Sequence, residues 1–172
     1  MITRRQAVGA AAAGAFAIPA AAAFAAADDR GPLEALVAYA QQVVFSYEVA
    51  LAKAPLTRSD RATLTRFRAD AAAAVAALRR ALEQDGGTPS PPPDPATAPP
   101  PADPSRRGYL RALIGAEEAS IQGYYAALQS LRDQRHLTGA AAFMAQAGRR
   151  LVVLRKLAGE PLLPRAFETG VT

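Results

Sequence analysis

The residues between Thr88 and Pro104, TPSPPPDPATAPPPADP, rule out most ways of folding this chain. Proline has a fixed φ and no N–H, so at this density α-helix is blocked and an extended polyproline conformation is expected. At about 3.1 Å per residue, a band of this length reaches roughly 50 Å. The sequence on either side of it is helix-forming, and the two sides match. Phe67–Arg79, F-x7-VAALR, aligns with Phe143–Arg155, F-x7-LVVLR, and Val44–Leu51, VFSYEVAL, aligns with Ile121–Leu128, IQGYYAAL. The pattern is helical hairpin, linker, helical hairpin. A helix of about 25 residues is roughly 38 Å long, so the band can carry the chain back along the whole length of a bundle. The second and third helices then run parallel, and the expected fold is all-α, a four-helix up-down-down-up bundle. Two tethered hairpins are the alternative, disfavoured because each alone buries too little surface.

A chain of 172 residues is one domain's worth. It has no cysteine, which excludes disulfides and thiolate metal sites. The net charge of +5 falls by two if Arg4 and Arg5 leave with a leader, and no Lys/Arg run exceeds two residues. A nucleic-acid footprint needs a clustered basic patch with interleaved aromatics, so nucleic acid is not an expected partner.

Residues 1–27 read as an export signal. Thr3-Arg4-Arg5-Gln6-Ala7-Val8 precedes an uncharged alanine-rich run ending in Ala25-Ala26-Ala27. A basic start, an apolar middle and an A-x-A end make a secretory leader. The paired arginines and weakly apolar middle fit the twin-arginine type, although Ala7 stands where a large apolar residue is usual. Cleavage is expected after Ala27, with Ala25 the alternative. The mature chain, 28–172, is then periplasmic, envelope-bound or secreted, with no transmembrane segment.

Within the mature part, Pro32 suits a first helical turn. Leu33, Leu36, Val37, Ala40, Val43, Val44, Tyr47 and Leu51 follow as one apolar stripe. Pro55 ends that helix, and Thr57-Arg58-Ser59-Asp60 forms a capping box for the second. The second stripe runs Leu64, Phe67, Ala71, Ala74, Val75, Leu78, Leu82 and stops at Gly86-Gly87, with Arg61, Arg66, Arg68, Arg79 and Arg80 on a solvated face. Ser105 caps a third helix carrying Leu110, Leu113, Ile114, Glu117, Ile121, Tyr124, Leu128 and Leu131. Asp133 caps a fourth with Phe143, Ala147, Leu151, Leu154 and Leu157, ended by Gly159. Leu162, Leu163 and Phe167 are expected to cover one end of the bundle. His136 reads as a surface residue at a helix end, Glu48 with Gln41 and Gln42 as a polar edge, and Tyr124 and Tyr125 as packing residues with hydroxyls at the rim. No nucleophile–base pair or glycine-rich phosphate loop is present.

The paired repeats, Ala116–Leu128 (AEEASIQGYYAAL) and Leu151–Gly170 (LVVLRKLAGEPLLPRAFETG) resemble the ferritin-like superfamily, in particular its small exported bacterial domains. The resemblance covers about Pro32 to Thr172. Metal-binding members carry one Glu on helices 1 and 3 and a Glu-x-x-His pair on helices 2 and 4. Carried through the repeat alignment, those positions fall on Ala40, on Ala71 and Ala74, on Glu117, and on Ala147 and Arg150. The resemblance therefore implies a degenerate dinuclear site with no metal, no cofactor and no catalytic residue. Glu117 and Arg150 lie about equally far from the Asp133 turn, so a core ion pair between them is expected, with Tyr47 or Tyr124 donating to the carboxylate.

The expected role is a non-catalytic binding or structural module of the cell envelope, for a protein or small-molecule partner, with a homodimer left open. Two alternatives stand beside it. One is a metal-binding, oxidoreductase or iron-storage protein with a non-standard site. The other is a small-ligand carrier, with a void among Ala71, Ala74, Ala77 and Ala147.

Overall fold

The computed structural model describes residues 28–162. The expected leader at 1–27 with its expected cleavage position, Leu163 and Phe167 lie outside the described residues. The described chain forms α1 (Arg30–Lys53), α2 (Arg58–Gln84), α3 (Arg106–Leu128) and α4 (Gln134–Ala158), with a short 3-10 turn at Pro95–Thr97. Among the described residues there are no strands.

Local chemistry sets most of the boundaries. Thr57 accepts from the Asp60 N–H while the Asp60 carboxylate accepts from the Thr57 N–H, a complete capping box at the start of α2. Ser105 accepts from the Gly108 N–H and Asp133 from the Arg135 N–H, so α3 and α4 each begin on a capping side chain. Gly86 (φ 77°) lets the chain turn back after α2, and Gly159 (φ 69°) does the same after α4, a left-handed conformation that costs glycine nothing.

Two polar clusters fix the directions of the helices. At one end Arg106, at the start of α3, donates from Nε and Nη2 to Asp60 at 2.7 Å each and from Nη1 to the Leu157 carbonyl at 3.1 Å. This joins the starts of α2 and α3 to the end of α4. At the other end Asp29, just before α1, accepts from the Arg132 and Asp133 N–H groups at 2.8 Å, joining the start of α1 to the α3–α4 turn. The order is up-down-down-up. Each hairpin packs on itself and α1 packs against α3, while α2 touches α4 only sparsely and the backbones of the diagonal pairs α1–α4 and α2–α3 do not meet. At Gly123 the α1–α3 approach is so tight that a Cβ would fall 2.4 Å from the Tyr39 ring.

The crossover, 85–105, lies along α1. The Gln41 amide donates to the Ser90 carbonyl at 2.9 Å, the Lys53 ammonium donates to the Ala98 carbonyl at 2.8 Å, and Ala98 itself is buried. This broadens the apolar face of α1 beyond one stripe. Phe45, Val49 and Gln41 are buried, whereas Val44 and Leu51 are only half-buried. The band is also not extended throughout. Asp94 accepts from the Ala96 N–H, and Pro95 stands where a helical turn needs no N–H, so a single 3-10 turn forms inside it. Leu131 lies past the end of α3, buried in the turn. Leu162 is 47 % exposed and does not close the bundle end as expected.

Among the described residues α1 is the helix long and apolar enough to cross a membrane, by length and composition, and half of that stretch is buried inside the bundle.

Candidate functional site

The apolar core is divided in two. One cluster, around Leu64, Phe67, Leu110, Leu113 and Leu154, fills the end where α2 and α3 begin. The other, around Leu33, Leu36, Leu78, Leu82 and Tyr124, fills the opposite end. Between them lies a polar layer at mid-bundle. Glu117 on α3 is fully buried, and Arg150 on α4 is 7 % exposed. Arg150 Nε donates to Glu117 Oε1 at 2.6 Å and Nη2 donates to Oε2 at 2.9 Å, a two-point contact that uses both carboxylate oxygens. The Tyr47 hydroxyl on α1 donates to Oε1 at 2.7 Å. Phe67 on α2 meets the Tyr47 ring edge-on, 6.4 Å between centroids, so all four helices converge here. No side-chain polar atom buried in the described part lacks a hydrogen-bond partner.

The alanines explain how the layer fits. Ala40, Ala71, Ala74 and Ala147 are all buried, and each offers only a methyl group. An arginine side chain crossing the core needs that volume, since close-packed interiors leave little to spare. Burial opposes the charge on Arg150, but the hydrogen bonds and negative charge of Glu117 outweigh it and hold the guanidinium pKa above its usual value. Burial, then the adjacent Glu117 charge, pushes the Tyr47 phenol well above its usual range, so it stays a donor. Tyr124, the repeat partner of Tyr47, is pushed up to about 12, mainly by burial. It is 2 % exposed and packs on Phe143 rather than reaching the rim, whereas Tyr125 is 62 % exposed.

A second polar constellation occupies the end where α1 begins. His136 is not the surface residue its position suggested: its side chain is 8 % exposed, with Nδ1 2.9 Å from Asp29 Oδ2 and 3.8 Å from Asp85 Oδ2. Asp29 thus ties α1 to the α4 start through one carboxylate. Burial works against that charge, but the His136 contact and the two backbone N–H donors hold the Asp29 pKa below the usual carboxylate value. No local sequence signal links these residues: Asp29 and His136 are 107 positions apart. Other polar side chains pair locally: Glu48 with Arg68 at 2.8 Å, Arg111 with Glu160 at 2.8 Å, and Glu118 with Arg155. Among the described residues, no group of three or more His, Asp or Glu side chains is arranged to hold a metal ion.

Comparison with known proteins agrees with the architecture. A family model described as a ferritin-like domain matches residues 11–160. No curated protein matches the chain. With four helices in up-down-down-up order and a match spanning most of its length, the chain belongs to the ferritin-like domain family.

Proposed function

We propose that this protein is a ferritin-like bundle that has given up its dinuclear metal site and serves as a non-catalytic binding or structural module outside the cytoplasm. The observation carrying this reading is the Glu117–Arg150 contact. A bridging carboxylate must offer its lone pairs to metal ions, and here both oxygens accept from one guanidinium while a phenol donates to Oε1. An arginine is permanently cationic and donates only, so in the core it repels a divalent ion and supplies no ligand. The other four positions are alanines. The residues present do not fit a di-iron or di-manganese centre.

Placement outside the cytoplasm rests on the composition of residues 1–27, with their paired arginines and A-x-A ending. Two experiments test the two halves of the proposal. Fractionation of expressing cells with N-terminal sequencing should recover a chain beginning at Asp28, or at Ala26 for the alternative cut, outside the cytoplasm. A full-length cytoplasmic chain would contradict export. Aerobic oxidation of ferrous iron, followed by ferric absorbance, should proceed no faster with the protein than in buffer. A protein-dependent rate that saturates near one or two irons per chain would contradict the lost site.

A further inference from the structure

The small-ligand alternative placed a void among Ala71, Ala74, Ala77 and Ala147; the structure shows a cavity elsewhere. A cavity of about 100 Å³ lies on another side of α1, closed in by α2 and the crossover, and none of those four alanines lines it. Its walls are apolar: Val44 and Phe45 from α1, Ala72 and Val75 from α2, Pro92 and Pro93 from the crossover. Two α1 side chains add polar atoms. Gln41 commits its amide nitrogen to the Ser90 carbonyl, and its amide oxygen, which is not a fully buried atom, accepts from no side chain or backbone group among the described residues. Glu48 receives both Arg68 donors on Oε1, at 3.0 and 2.8 Å, which leaves Oε2 without a partner among the described residues.

We propose that this cavity binds a small organic ammonium: a ring-sized apolar body under the crossover with a protonated amine at Glu48. An enclosed apolar cavity of about 150 Å³ accepts benzene; this one is smaller and opens to solvent, so a ring enters it in part and its substituent stays at the mouth. The free polar atoms are acceptors, so the complementary ligand group is a donor. Arg68 turns two of its five N–H donors to Glu48 Oε1 and does not line the cavity, so the charged acceptor left to a ligand there is Glu48 Oε2. The site is separate from the Glu117–Arg150 layer, so the outcome of a metal experiment at mid-bundle neither supports nor weakens it.

The test uses the mature chain and three probes of one shape: benzylammonium, toluene and benzoate. Backbone amide shifts followed by NMR should saturate with benzylammonium at millimolar concentrations or below, confined to α1 around 41–48, α2 around 72–75 and the crossover around 90–93. Glu48→Gln should weaken benzylammonium by about tenfold, as loss of a charge-assisted hydrogen bond predicts, while leaving toluene unchanged. Ala72→Leu, which fills the cavity from its wall, should abolish binding, and Val75→Phe serves the same purpose if Ala72→Leu fails to fold. Absence of saturable shifts, shifts elsewhere on the bundle, or benzoate or toluene binding as tightly as benzylammonium would each overturn the proposal.

Discussion

Replacing Arg150 by methionine tests the polar layer most severely, because it keeps much of the side-chain volume and removes the counter-charge. Glu117 is fully buried and its nearest remaining donor is the Tyr47 hydroxyl at 2.7 Å. Removing one partner of a buried, hydrogen-bonded pair costs about 3–5 kcal/mol. For a domain of this size each kcal/mol moves the thermal midpoint by about 2–4 °C, so Arg150→Met should melt roughly 6–20 °C below wild type. Removing the whole layer reverses the picture: Tyr47→Phe with Glu117→Leu and Arg150→Met leaves no polar group of the layer in need of a partner. Such replacements are neutral or stabilising by about 1–4 kcal/mol in comparable cores. Urea titrations followed by circular dichroism read both variants. An Arg150→Met cost under about 1 kcal/mol, or a triple variant less stable than Arg150→Met, would refute the reasoning.

Three further outcomes follow from other contacts. Asp29 and Asp60 both have pKa values held below the usual carboxylate range in the folded chain; their stabilisation is present above the unfolded value near 4 and is lost as pH falls through the folded values. Asp29→Asn should therefore flatten the acid limb of a stability–pH profile, and an unchanged slope would count against it. Gly123→Ala should cost about 1–3 kcal/mol, because the added methyl meets the Tyr39 ring, and Tyr39→Ala in the same chain should recover part of the loss in a double-mutant cycle. Thr57→Ala removes half of a capping box and should cost about 1 kcal/mol in urea unfolding, with an unchanged denaturant slope.

The helices were legible because each signal was local. Thr57, Ser105, Asp133 and Gly159 each act within a few residues of themselves, so their types and spacing carry the boundaries. The crossover was legible as a span and not as a surface. Its proline density says how far it reaches, but that Ala98 and Ser90 would dock on α1, and bury Phe45 and Val49 beneath them, depends on which groove it follows. Glu117 stands out in the sequence as a carboxylate on an apolar stripe, and Arg150 through the resemblance, which puts it at a ligand position at a matched distance from the same turn. His136 carries no such mark. Its burial comes from Asp29 and Asp85, residues on two other elements that the fold alone brings to the same place. Tyr47 and Tyr124 occupy equivalent repeat positions yet differ in role, because only Tyr47 lies within hydrogen-bond reach of Glu117, while Tyr124 packs on Phe143.

The central claim, that an arginine stands in the core where the fold's metal ligands would be, is tested most directly by counting metal. Mature protein purified without chelator, then reloaded with ferrous iron and manganese and desalted, is assayed for total metal by mass spectrometry. A stoichiometry near zero is expected for both ions, unchanged in Glu117→Gln. About one or two metal ions per chain, lost in Glu117→Gln, would contradict it.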